Sequence, residues 1–164
     1  MSNETDNDSM ASVDKDDGYG TKEYVTVTID GQWFGIPVLT VQDVLRPQRT
    51  THIPTAAPEV AGALNLRGRI VTAIDVRRRL NLSPRDADAK SMSIVVEQGG
   101  ELYSLIVDSV GEVLNISEAT LERNPATLDG VWREVSLGVF RLEGNLLLVL
   151  DVARLLNLDV ADAA

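Results

Sequence analysis

The segment Asn65-Leu66-Arg67-Gly68-Arg69 sets two guanidinium groups on a glycine-containing turn, in a chain whose formal net charge is -10. A guanidinium presents a planar fork of N–H donors that matches a carboxylate, so these residues suit ion-pair recognition rather than bond making. Asp43, within Val41-Gln42-Asp43-Val44, is the candidate partner inside the chain. A second basic group, Arg77-Arg78-Arg79 with Arg85 nearby, reads as a solvated helix face, with a partner-binding patch as the alternative. Catalytic patterns are sparse by comparison. There is no Gly-rich phosphate loop, paired-histidine metal motif or nucleophile elbow. The single histidine, His52, lies in a proline-rich stretch with no motif around any serine, so a Ser-His-Asp arrangement has no anchor. Carboxylates are plentiful but scattered, as expected of solvated faces.

Bulk properties narrow the partners. Excess negative charge repels phosphate backbones, and with 4% aromatic residues few side chains can stack on bases, which argues against nucleic acid. The absence of cysteine removes disulfide, thiolate and iron–sulfur chemistry and fits a reducing compartment. One histidine is too few for a zinc site, and neither metal nor cofactor is expected. No apolar run reaches the roughly 18 residues of a spanning helix, and the acidic start MSNETDND is unlike a secretory signal, so the expected location is cytoplasmic.

Those arginines need a scaffold, and the hydrophobic pattern predicts an all-β one with a few short helices. Residues 1–22 are polar and acidic and read as a disordered tail. Order is expected from Tyr24, where Val25, Val27 and Ile29 alternate with Thr26 and Thr28 at the period of a half-buried strand. Asp30-Gly31 suits a two-residue hairpin turn, with the return strand over Trp33 to Val38. Gln98-Gly99-Gly100-Glu101 predicts a second hairpin, between Ile94 to Val96 and Leu102 to Val107.

An internal repeat dictates the architecture. Shifting Phe34 to Leu45 by 69 positions lays it on Tyr103 to Leu114, and shifting Gly62 to Leu82 by 76 lays it on Gly138 to Leu158 with 9 identities in 21 positions. The chain therefore holds two related halves, about 24–82 and 94–158, within a domain spanning 23–158 and ahead of a short tail at 159–164. Each half reads as hairpin, connector, Gly-containing turn at Gly68 or Gly144, apolar strand and short helix. Asp75 and Asp151 are placed to cap helices at Val76 to Leu80 and Val152 to Leu156. The runs Ile70-Val71 and Leu146 to Leu150 read as strands buried on both sides. In the first connector Pro58 is placed to open a short helical turn through Val60 and Ala61. In the second, Ser117 is a candidate N-cap for a helix over Glu118 to Arg123 that ends before Pro125. Two small β-barrels packed together satisfy these elements.

The string from Asn65 to Arg77 (NLRGRIVTAIDVR) resembles the signature of CheW, the chemotaxis coupling proteins. Val41-Gln42-Asp43-Val44 resembles the family's V-Q-E-I segment, and Leu150 to Leu156 resembles its C-terminal end, so the likeness runs from about Tyr24 to Leu158. It implies two five-stranded SH3-like barrels, with strands exchanged between them, and a non-enzymatic adaptor. The implied partners are the regulatory domain of the histidine kinase CheA, packed on a barrel end, and the cytoplasmic tips of methyl-accepting chemoreceptors, held in the groove between the barrels. Membrane association would be indirect, through receptors.

By position, the receptor-facing candidates are Val41, Asp43, Gly62, Asn65, Arg67 and Gly68; no residue is singled out for the kinase. Val41 would supply apolar area, Gly62 a close backbone approach, and Asp43 a hold on Arg67. Asp43 stands where the family usually has Glu, one methylene longer, and Thr72 stands where it often has Pro. The alternatives are a CheW-like adaptor in a kinase pathway other than chemotaxis and, from a different class, a small acidic hydrolase.

Overall fold

The computed structural model describes residues 20–157 apart from Thr55 and Ala87. Ten strands form two five-stranded sheets. They are β1 (Thr21–Ile29), β2 (Gln32–Pro37), β3 (Val41–Leu45), β4 (Val60–Leu66), β5 (Arg69–Asp75), β6 (Met92–Gln98), β7 (Glu101–Val107), β8 (Ser109–Ser117), β9 (Ser136–Leu142) and β10 (Asn145–Leu150). One sheet has the order β8-β1-β2-β10-β9 and the other β3-β6-β7-β5-β4. We call them barrels A and B. Neighbouring strands are antiparallel except for the pairs β2–β10 and β5–β7. Among the described residues there are three short α-helices: α1 (Val76–Arg79), α2 (Gly130–Val135) and α3 (Val152–Leu155).

The local signals act as their chemistry requires. Asp30 and Gly31 take φ of 53° and 80°, the doubly left-handed geometry of a tight hairpin turn, and place Val27 opposite Phe34. Gly99 and Gly100 do the same between β6 and β7. Asp75 accepts the Arg77 amide at 3.1 Å, and Asp151 accepts the Arg154 amide at 3.1 Å, capping α1 and α3. Elsewhere local expectation gives way. β1 begins at Thr21, three residues ahead of Tyr24, because its first residues pair with β8 (Thr21 with Ser117); residues 1–19 of the expected tail and the end 159–164 lie outside the described residues. Pro58 does not open a helix: Val60 and Ala61 already belong to β4, pulled into the sheet by pairing with β5. Ser117 does cap, accepting the Ala119 amide at 3.3 Å, but the capped segment is only a 3-10 turn of Glu118–Thr120, ended where Glu122 pairs with Val139. The structure adds α2, which has no counterpart among the expected elements. Its signal is Asp129 before Gly130, and Asp129 caps it through the Val131 amide at 2.9 Å.

The chain halves do not coincide with the barrels. β1 and β2 of the first half join β8, β9 and β10 of the second, while β6 and β7 join β3, β4 and β5. The repeat survives the exchange. Leu148 lies beside Phe34 in barrel A as Thr72 lies beside Tyr103 in barrel B, and the Asp151 amide donates to the Val135 carbonyl as the Asp75 amide donates to that of Glu59. Each barrel has its own interior cluster: Leu64, Val71, Ala73, Val95 and Leu102 in B, and Tyr24, Phe140, Leu147 and Val149 in A. Between them lies the largest core, which draws Phe34, Ile36 and Leu148 from A and Ile74, Ile94 and Leu105 from B. Burying each such side chain is worth about 1.5–3 kcal/mol. Separating the barrels would expose this whole layer, so the two form one cooperative body.

The arginine run is not a solvated face. Arg77 and Arg85, each 14% exposed, converge on Asp108 at the crossover from β7 to β8. Arg77 grips both Asp108 oxygens, through Nε at 2.9 Å and Nη2 at 2.7 Å, Arg85 Nε adds a bond at 3.0 Å, and the Asp30 amide a fourth at 2.8 Å. Burial pushes the Asp108 carboxyl up, but these donors outweigh it and hold its pKa down at about 2. Arg79 reaches the Leu155 and Arg154 carbonyls at 2.8 and 3.0 Å, tying α1 to the end of α3. Only Arg78 of the run keeps most of its side chain in solvent.

Candidate functional site

β3 and β4 stand at opposite ends of the barrel B strand order, yet Asp43 on β3 and Arg67 after β4 are in contact, Nη2 to Oδ2 at 3.0 Å. The sheet therefore curls until its edges meet, and this pair sits on the seam. A bulge between Val41 and Asp43 turns the carboxylate toward it. No guanidinium N–H is aimed along the contact, so it is an ion pair rather than a hydrogen bond, and Oδ2 is shielded from solvent with no other donor. Oδ1 accepts the Val44 amide at 2.9 Å. With Arg67 76% exposed and Asp43 24%, water screens the attraction, and the pair contributes about 0–1 kcal/mol to stability. Its consequence is geometric: it fixes where Arg67 stands.

The turn that carries Arg67 is shaped by Asn65, whose Oδ1 accepts the Gly68 amide at 2.9 Å. Arg67 and Gly68 take φ of 52° and 85°. Val41, half-buried, opens β3 two residues before Asp43 and packs against the central core. Asp43, Asn65, Arg67 and Gly68 thus form one cluster, with Val41 at its border. Gly62 stands apart, five residues back along the chain from Arg67. The close approach it permits is made within the chain: a Cβ there would lie 2.6 Å from the Thr51 carbonyl oxygen.

Sequence reasoning does not pick out Ile70. It pairs across the strands with Asn65, so the two share the outer face of barrel B, and it is 69% exposed. The expectation that Ile70-Val71 is buried on both sides is therefore corrected: Val71 points into barrel B and is fully buried, while Ile70 points out. Strand alternation carries that signal, but two adjacent apolar residues look like one buried run. His52 lines a cleft of about 360 Å³ with Asp75 and Arg78, and among the described residues no hydroxyl or thiol side chain lines it. Among the described residues no three His, Asp or Glu side chains converge as metal ligands, and no helix is long and apolar enough to cross a membrane.

The model of the CheW-like domain family matches residues 23–160, nearly everything from β1 onward. The chain belongs to the CheW family. Relatives agree over comparable lengths. The chemotaxis protein CheW of Bacillus subtilis (strain 168) is 25% identical over 146 residues, covering 87% of this chain and 92% of its own. That of Klebsiella aerogenes is 26% identical over 136 residues, covering 83% and 82%. Among solved structures, the scaffolding protein TtCheW from Thermoanaerobacter tengcongensis superposes with a TM-score of 0.71 at 28% identity, covering 79% of this chain and 88% of that one. The two five-stranded sheets are thus the CheW fold. Membership in the CheW family, with a scaffolding protein among its structural neighbours, implies a non-enzymatic adaptor.

Proposed function

We propose that this CheW-like protein couples chemoreceptors to the histidine kinase CheA, holding a helical receptor tip against the seam of barrel B while the kinase regulatory domain packs on a barrel end. In this reading it works in the cytoplasm and meets the membrane only through receptors. The observation that carries the reading is the Asp43–Arg67 contact, which brings β3 and the β4–β5 turn onto one surface and sets a mostly exposed guanidinium beside it. An exposed, positioned guanidinium suits a carboxylate on an approaching helix.

The decisive experiment is kinase autophosphorylation with receptor-containing membranes from the same organism, with and without the purified protein. Receptor control that appears only on addition of the protein supports coupling; a folded protein with an active kinase and no effect moves the function to another signalling system. A charge cycle tests the seam. Asp43→Arg and Arg67→Asp are each expected to weaken receptor binding about tenfold, roughly 1.4 kcal/mol. The double reversal should recover part of the loss. Strictly additive losses would show that the two residues do not act as a pair.

A further inference from the structure

The two halves differ in one place that their repeat makes conspicuous. From the connector residue that bridges the glycine strand to the residue whose carbonyl binds the capping Asp amide, the first half runs nine residues, Thr51 to Glu59, and the second fourteen, Glu122 to Val135. The second half uses its longer stretch to build α2. Val131 and Trp132 of α2, with Leu128 before it, line one groove together with Leu146 of β10 and Leu82 after α1. Trp132 also packs at a tilt against Phe34, ring centres 5.5 Å apart. Leu146 is half-buried there. Its repeat partner in barrel B is Ile70, paired with Asn65 as Leu146 is paired with Arg141. Among the described residues no helix lies over that position of barrel B, and Ile70 is 69% exposed, one of the most exposed large apolar side chains there.

We propose that Ile70 anchors a helix supplied by a partner, set against barrel B much as α2 lies against barrel A. The inference rests on the receptor-coupling reading and deepens it, because Ile70 shares its strand face with Asn65 and lies three residues from Arg67. The occupant is then one helix of the receptor tip, presenting apolar residues three or four apart, the spacing of Val131, Trp132 and Val135 on α2 and of Leu128 before it. An apolar side chain left open beside a positioned arginine is the usual make-up of an interface centre, a desolvated anchor with a charged rim. Leu82, which shares the groove in barrel A, has Leu158 as its repeat partner, so the chain's own end is the competing occupant.

The test uses the full-length protein and a soluble fragment of a chemoreceptor's cytoplasmic hairpin. Ile70→Ser is expected to weaken binding at least tenfold while leaving the melting temperature within a degree, and the loss should persist in a chain ending at Asn157. Benzoylphenylalanine in place of Ile70 should cross-link to the hairpin on irradiation. The idea is overturned if Ile70→Ser binds as tightly as the wild type. It is also overturned if the substitution lowers the melting temperature in the full chain but not in the shortened one, since the chain's own end would then cover Ile70. If the wild type does not bind the hairpin at all, the coupling reading fails and takes this occupant with it.

Discussion

Asp108→Ala is expected to lower the free energy of unfolding by about 3 kcal/mol, from the loss of one partner in a largely buried charge cluster. Asp108 accepts four hydrogen bonds, three from the guanidiniums of Arg77 and Arg85 and one from the Asp30 amide. Truncation leaves the Arg77 and Arg85 guanidiniums, each 14% exposed, without the carboxylate that joins them, and only Arg77 keeps a second acidic neighbour there, the more exposed Asp30 at 3.7 Å. It also loosens the point at which the chain crosses from barrel B to barrel A, where the Asp108 amide donates to the Thr28 carbonyl at 3.0 Å. Against a total stability of about 5–15 kcal/mol for a single domain, this is a large fraction, readable as a shifted urea midpoint at constant slope.

The pH dependence has a definite sign. The folded-state pKa of Asp108 is depressed from 3.8 to about 2, so the unfolded chain takes up its proton first as pH falls. The stabilisation is fully present above about pH 5 and is lost as pH falls through 3.8 toward 2. The difference in stability between the wild type and Asp108→Asn should therefore be constant from about pH 7 to 5 and shrink between about pH 4 and 2. A gap that stays constant down to about pH 2 would mean that the charge on Asp108 does not contribute.

The second large effect belongs to the repeated glycines. Gly62→Ala and Gly138→Ala should each cost about 2–5 kcal/mol, combining strain in the backbone with a clash that the neighbour cannot relieve. Their φ values are 153° and 158°, where side chains are rarely found. At each, an added Cβ would lie 2.6 Å from a backbone carbonyl oxygen, that of Thr51 or Glu122. These are the carbonyls of the bridges that close the connectors onto β4 and β9, so yielding would break a backbone pair. Gly68→Ala makes the comparison. Its φ of 85° is also left-handed, but nothing lies within 4 Å of the added carbon, and the expected cost is about 1 kcal/mol. Thermal unfolding of the three variants should rank Gly62 and Gly138 well below Gly68; equal shifts would show that conformation alone, without the close approach, accounts for the requirement.

Much of the fold is legible in the residues because it depends on neighbours in sequence. Asp30-Gly31 makes its turn whatever surrounds it, Asp75 and Asp151 cap because an amide two or three residues on needs an acceptor, and the repeat announces two equivalent units. The Asp43–Arg67 pair is also within reach, since an acid and a base carry a charge signal that the sequence itself displays. The arginine run is not legible in the same way, because exposure is not a property of the run: Arg77 is buried by Asp108, 31 positions away, and Arg79 by the end of α3.

Taken alone, the sequence determined the strand content, the hairpins, the caps, the twofold repeat and the turn that holds Arg67. Only the tertiary structure decided which strands share a barrel, because pairing β2 with β10 and β5 with β7 lets both halves bury their apolar faces in one central core. The same packing decided that Val71 is inside and Ile70 outside. A strand fixes that its side chains alternate, but which face meets water depends on what else is folded over it.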